Sequence, residues 1–298
     1  MSMAVDKLPK IQGEYRGNFI VSPLTWFKVG GPADVLFKPA DIDDLSYFLS
    51  NISPEIPLFV LGAGSNLIVR DSGIDGVVIK LGRGFADITI KDDKIVVGAG
   101  ALNHSLAQFS LQNSIEGFEF LIGIPGSIGG GIAMNAGCYG KEFKDILHSV
   151  TMLDREGKKY ILLSEDLGFG YRHNSLKNWS IFVEASFKYT KGKQEEIKKK
   201  IDEITSARQI SQPINQKTGG STFANPEGYK AWELIDKAGM RGYKIGGAEI
   251  SNLHCNFMVN TGNATAADLE NLGEKVRQKV LETSGVELKW EIKRIGKA

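Results

Sequence analysis

The sequence predicts an α+β protein laid out as three small layers, and three observations lead there. Strand and helix signals alternate through residues 16–60. Two glycine-bearing turns, Val29-Gly-Gly-Pro32 and Gly62-Ala-Gly-Ser-Asn66, sit at the ends of strands, where ligand-binding loops are commonly placed. A charged amphipathic helix over Gln194 to Arg208 then marks off a last segment with strands and helices of its own.

In chain order, Ala33 to Lys38 reads as a strand closed by Pro39, and Asp41 to Asn51 as a short helix. Asp41 is its N-cap, with Leu45, Phe48 and Leu49 on the apolar stripe. Pro57 to Leu61 and Gly76 to Leu81 are apolar strands. Ala86 to Ile90 and Lys94 to Val97 flank Asp92-Asp93 as a hairpin, Leu102 to Gln112 is helical, and a second hairpin turns at Arg155 to Lys158. Trp179 to Thr190 supplies a further strand. Beyond the 194–208 helix come a polar loop (212–225), a helix near 228–238 and a strand at 255–260. A long helix follows from about Ala266 to Thr283, with Thr265 and Asp268 at capping-box spacing and Gly285 as its stop. Val286 to Arg294 alternates as a final strand. The domains expected are 1–82 joined by 287–298, then 83–205, then 206–286.

The densest signal is Ile122 to Gly140, where seven of nineteen residues are glycine and none is Asp, Glu, Lys or Arg. A backbone without Cβ can lie directly against a surface, and several N–H groups can then converge on an anion. A single such glycine would read as a packing turn; a run this dense points to contact with a phosphorylated ligand. The familiar nucleotide signatures are absent. After Gly126 and Gly131 come Ile132-Ala133, so the lysine of a P-loop is missing. Gly62-Ala-Gly64 and Gly98-Ala-Gly100 both lack the third glycine of a Rossmann fingerprint. Ser127 lies outside any G-x-S-x-G elbow, and His104, His148, His173 and His254 are too scattered to suggest a metal site.

Composition narrows the class. With 298 residues, 42% apolar and 24% charged, the chain can bury a sizeable core. A net charge of +1 gives no basic surplus for nucleic acid. No apolar run reaches the ~18 residues of a membrane span, and the first residues lack a secretory h-region, so the expected location is the cytoplasm with no obligatory protein partner. Cys138 and Cys255, without a C-x-x-C, read as reduced thiols.

Seven blocks in order carry a resemblance. They are Thr25-Trp-Phe-Lys-Val-Gly-Gly31, Leu61 to Leu67, and Gly123-Ile-Pro-Gly-Ser-Ile-Gly-Gly130 with Met134-Asn-Ala-Gly137, followed by Tyr171-Arg172, Gly219 to Pro226, His254 to Asn260 and Trp290 to Lys293. From about residue 20 onward the chain closely resembles the UDP-N-acetylenolpyruvoylglucosamine reductases, the MurB family of peptidoglycan precursor synthesis. The resemblance implies a three-domain flavoprotein with a vanillyl-alcohol-oxidase-like two-part FAD-binding module and a smaller α+β substrate domain. FAD would be held by Gly62, Ala63, Gly64, Ser65 and Asn66, and by Gly123, Pro125, Gly126, Ser127 and Gly130. NADPH would be the hydride donor and the enolpyruvyl ether of a UDP-sugar the acceptor. Arg172 matches the family's enolate-stabilising arginine, Glu291 the glutamate acting with it on the carboxylate, and Ser221 the proton donor to carbon. Tyr171 and Asn225 match substrate-binding positions. Only the resemblance makes Glu291 functional, because the alternation of 286, 288, 290 and 292 puts it on a polar face. Only 48 residues lie between Arg172 and Ser221, which places the chain in the subclass without an extra tyrosine-bearing loop. Two rivals stay open: an FAD oxidase of the same fold, and a non-redox nucleotide-sugar binding protein.

Overall fold

The computed structural model describes residues 5–176 and 180–297, with the side chain of Lys7 left aside. It resolves into two compact units. One comprises residues up to 18 with 34–63 and 76–206; the other comprises 19–33, 64–75 and 207 onward. The chain thus passes between units inside the 62–66 loop. Residues 19–33 and 64–75, expected with the first layer, group by contacts with the C-terminal segment.

The first unit is built on two larger sheets, beside two short two-stranded ones. One orders its strands as Glu14–Ile20, Pro32–Lys38, Ile74–Ile79 and Leu58–Val60, the last two pairing in parallel. The helix Ile42–Asn51 covers it because Leu45, Phe48 and Leu49 fall on one stripe and are fully buried there. Asp41 caps the helix by accepting from Asp44 N–H at 2.8 Å, as its position predicts. The other is an antiparallel five-stranded sheet, ordered Lys159–Leu163, Leu147–Leu153, Ile181–Lys188, Lys94–Gly98 and Ile88–Lys91. The expected strand from Trp179 is seen from Ile181; Trp179 itself lies outside the described residues. The helix Asn103–Gln112 and the rings of Phe118, Phe143 and Phe187 fill the core of this sheet, with Phe118 and Phe187 meeting edge to face at 5.8 Å.

The second unit is an antiparallel sheet ordered Lys217–Ser221, Phe257–Asn260, Ala248–Ile250 and Lys244–Ile245, packed on the helices Ala231–Lys237 and Ala266–Ser284. The long helix carries the expected reciprocal Thr265–Asp268 capping box and ends at Gly285 with φ 71°. Its first N–H groups also donate to the Asp71 carboxylate, from Ala266 at 2.9 Å and Ala267 at 3.1 Å.

Three expectations are corrected here. The polar loop 212–225 contains the strand 217–221, which pairing with 257–260 imposes on a glycine pair of low β-propensity. The glycine stretch hides a short helix, Ile128–Ala133, because Ser127 caps it. The last strand is only Lys293–Ile295, parallel to Leu67–Val69. Residues 286–292 alternate, yet there the segment makes just an isolated bridge from Trp290 to Phe223.

Candidate active site

In the first unit, the loop after the strand Leu58–Val60 faces the turn before the helix Ile128–Ala133 across a cavity of about 140 Å³. Gly62, Ala63, Ser127 and Gly130 line it, together with Gly100 and Lys80. A Cβ on Gly62 would come within 2.8 Å of Ser127 Oγ, and one on Gly130 within 3.3 Å, so side chains there would close the space. Gly126, at φ 144°, turns the chain into this helix and accepts from Asn103 N–H at 3.0 Å. Gly123 packs so closely on Cys138 that an added Cβ would lie 2.8 Å from the sulfur. Pro125 follows in the same half-buried turn. The consecutive glycines divide their labour. Gly131 lies on the Phe143 ring and serves packing, Gly129 lies on Ala99 and also lines the cavity, and Gly130 is exposed toward it.

The helix N–H groups are engaged within the protein. Ile128 donates to Ala101 O and Gly129 to Ala99 O, at 2.8 and 2.9 Å; Gly130 donates to Ser127 Oγ and Gly131 to Ser127 O. Of the N–H groups that the Ile122–Gly140 stretch is expected to offer an anion, those of 128–131 therefore already have partners within the protein. What the cavity adds is Lys80, which sequence reading passed over as the end of a strand. Its Nζ donates to Gly62 O.

In the second unit, Gly64 (φ 69°) rests on the Leu24 carbonyl and accepts from Trp26 N–H at 3.0 Å. Ser65 is half-buried beside it. Asn66 then reaches the C-terminal segment: its Nδ2 donates to Glu291 O at 3.2 Å, and its own carbonyl accepts from Lys293 N–H at 3.1 Å.

Ser221 ends the strand 217–221 at a β-bulge. The register runs Thr218 opposite Val259 and then Ser221 opposite Phe257, which leaves Gly219-Gly220 with one residue too many. Gly220 has φ 79°, and a Cβ on Gly219 would strike the Phe27 ring at 2.3 Å, so both must be glycine. Asn256 locks the next residues. Its carbonyl accepts from Thr222 N–H, its Oδ1 accepts from Phe223 N–H, and its Nδ2 donates to Phe223 O. Glu291 lies directly alongside, donating its N–H to Thr222 O at 2.9 Å. The main chain of Glu291 is thus hydrogen-bonded to Thr222, the residue after Ser221, and to the side-chain amide of Asn66. Glu291 is half-buried here, against the solvated position its alternation predicts, while Glu287 and Lys289 on the same face are exposed. Asn225 is exposed, and its Oδ1 accepts from Ala231 N–H at the start of a helix.

Arg172 belongs to the first unit. It occupies the second position of a two-residue turn closed by hydrogen bonds between Gly170 and His173, with φ 54°, a left-handed conformation uncommon for arginine. Arg172 Nη2 donates to Gly137 O at 3.0 Å, and the guanidinium lies 5.0 Å from the Tyr171 ring centre. The fully buried Asn135 donates to Gly170 O at 3.0 Å and so ties down the turn. The Met134-Asn-Ala-Gly137 block is thereby the support of Arg172.

Comparison with known proteins makes the chain an FAD-containing oxidoreductase. The family described as "FAD binding domain" matches residues 33–162, and "UDP-N-acetylenolpyruvoylglucosamine reductase, C-terminal domain" matches 212–295. The chain is 56% identical over 297 residues to the UDP-N-acetylenolpyruvoylglucosamine reductase of Orientia tsutsugamushi (strain Ikeda), covering 98% of each chain. It is 55% identical to that of Rickettsia felis over 97% of this chain and 98% of the other. The crystal structure of the enzyme from Thermus caldophilus superposes with a TM-score of 0.83 at 35% identity, over 96% of this chain and 99% of that one. The chain belongs to the UDP-N-acetylenolpyruvoylglucosamine reductase (MurB) family, and FAD is its cofactor. No helix among the described residues is long and apolar enough to cross a membrane.

Proposed function

We propose that this chain reduces the enolpyruvyl ether of UDP-N-acetylglucosamine to the corresponding lactyl ether, UDP-N-acetylmuramate, using NADPH. The observation carrying this reading is the hydrogen bonding of the Glu291 main chain to Thr222, next to Ser221, and to Asn66, which joins three of the blocks that resemble the family. Bound FAD supplies the two-electron carrier that links the nicotinamide to the vinyl carbon. Gly62, Ala63, Ser127 and Gly130 leave room for its diphosphate, and Gly64 to Asn66 continue the same loop.

The protein's own residues handle charge and protons. Hydride arriving at the terminal vinyl carbon leaves negative charge on the adjacent carbon and its carboxylate. Arg172 is the group for that charge, since a guanidinium stays protonated and offers two donors to a carboxylate. The Gly137 carbonyl limits its swing, so little reorganisation is needed as charge develops. Ser221 gives its hydroxyl proton to the carbon. A serine is a weak acid, and this works only at close range against a strong carbanionic base. Glu291 in its neutral form donates a hydrogen bond to the carboxylate. Tyr171 and Asn225 contact the sugar nucleotide.

The test begins with the visible spectrum of the purified protein. A flavin spectrum, bleached by anaerobic NADPH and restored faster by the enolpyruvyl sugar nucleotide than by oxygen, is the expected result. Faster recovery with oxygen would favour an oxidase, and colourless protein that cannot take up FAD would favour a non-redox binding protein. We also expect Glu291→Gln to retain the substrate half-reaction about tenfold better than Glu291→Ala, because an amide still donates one hydrogen bond. Equal losses would remove the neutral donor from the mechanism.

A further inference from the structure

We propose that Lys80 is the counter-charge of the FAD diphosphate, a lysine delivered from a strand end where nucleotide-binding loops elsewhere carry one inside the loop. The inference rests on the cradle reading above and concerns a residue outside all the glycine blocks.

Four observations support it. Lys80 lines the cavity between Gly62 and the Ser127–Gly130 turn. Its ammonium donates to the Gly62 carbonyl, which fixes Nζ at the lip of the loop. No carboxylate pairs with it among the described residues; the charged neighbour acting on it is another cation, Lys38. Burial first, and Lys38 second, pull its pKa below the ordinary lysine value. Lys38 has a partial outlet of its own, since Glu14 lies 3.9 Å away. A half-buried ammonium with one carbonyl and a like charge for company is an unfavourable arrangement for a protein alone. An anion in the cavity resolves it.

The neighbouring helix strengthens the need. Its first four N–H groups already have partners inside the protein, so they offer an incoming phosphate a dipole and few free donors. The diphosphate carries two negative charges, and Lys80 is the formal positive charge among the residues lining this cavity. A charge-assisted hydrogen bond from lysine to phosphate oxygen is about twice as strong as a neutral one.

The arrangement makes an unusual double demand that separates a binding role from a structural one. If Lys80 serves the anion, Lys80→Met should leave the FAD-free full-length protein as stable as wild type, or more so, because a desolvated cation has been removed. The same change should weaken FAD binding about 10- to 100-fold, the range for losing a hydrogen bond to a charged group. Binding of riboflavin, which has the ring but no phosphate, should be unchanged. Flavin fluorescence quenching on the stripped chain measures both, and thermal unfolding with and without inorganic pyrophosphate supplies a readout independent of catalysis. Pyrophosphate should raise the midpoint of wild type and not of Lys80→Met, with Lys80→Arg intermediate.

Wild-type affinity of Lys80→Met for FAD would overturn the proposal. So would equal losses for FAD and riboflavin, or a Lys80→Met protein that unfolds early with FAD absent, since these mark a structural lysine. Wild type that binds riboflavin as tightly as FAD and ignores pyrophosphate would instead refute the diphosphate cradle itself. If Lys80→Met cannot be purified, Lys80→Gln and the pyrophosphate response of wild type decide the matter in the same way.

Discussion

Replacing Ser221 by alanine is expected to leave reduction of the flavin by NADPH within about a factor of two of wild type, while reoxidation by the sugar nucleotide slows by about 10²- to 10⁴-fold, the range for losing a positioned proton donor. The asymmetry follows from geometry. Ser221 ends a bulge whose backbone is held by Gly219-Gly220, by the Phe27 ring and by the clamp of Asn256 on Thr222 and Phe223. None of these supports uses the serine hydroxyl, so its removal should leave the strand in place. Stopped-flow absorbance near the flavin band, with each half-reaction run separately and anaerobically, measures the two rates. Parallel losses would show that the hydroxyl organises the site and does not donate the proton. A second reading comes from solvent deuterium: the isotope effect on reoxidation should be large in wild type and absent from the residual rate of Ser221→Ala.

Arg172→Met should produce a loss of about 10²- to 10³-fold in the same half-reaction, comparable to removing a donor from an oxyanion site. Arg172→Lys should recover only part of it. Lysine keeps the charge, yet it lacks the planar fork that can bind a carboxylate twice, and it cannot both reach Gly137 O and present a second donor in the same plane. The left-handed backbone at this position should not be the cause of the loss. Arg172→Gly, which suits φ 54° better than arginine does, should therefore be as impaired as Arg172→Met while being no less stable to heat. Retention of substrate-dependent turnover in Arg172→Gly would mean that the turn, and not the guanidinium, is what the reaction requires.

Both variants probe residues whose importance came from resemblance and whose surroundings came from the fold. Regular elements with local causes were legible: the helix capped by Asp41, the hairpin at Asp92-Asp93, and the long helix bounded by Thr265 and Gly285 all sit where their caps and turns predict. Those signals depend on neighbours a few residues apart, which one sequence displays. The strand bearing Ser221 was not legible, because Lys217-Thr-Gly-Gly-Ser221 has no β pattern and becomes a strand only by pairing with Phe257–Asn260.

By itself, then, the sequence determined an α+β protein rich in glycine turns at strand ends, and, through seven ordered blocks, the family that carries them. Tertiary structure decided the rest. Glu291 looked solvated by alternation, and it is half-buried because Thr222 and Asn66 fasten its backbone against the bulge. Consecutive glycines read as one anion cradle, whereas Gly131 packs on the Phe143 ring and only Gly129 and Gly130 join Gly62 in lining the cavity. Lys80 reads as the end of a strand, and it is a half-buried cation with no carboxylate partner among the described residues. In each case the deciding contact joins residues far apart along the chain, and burial and charge at such positions are set by partners that local pattern cannot display.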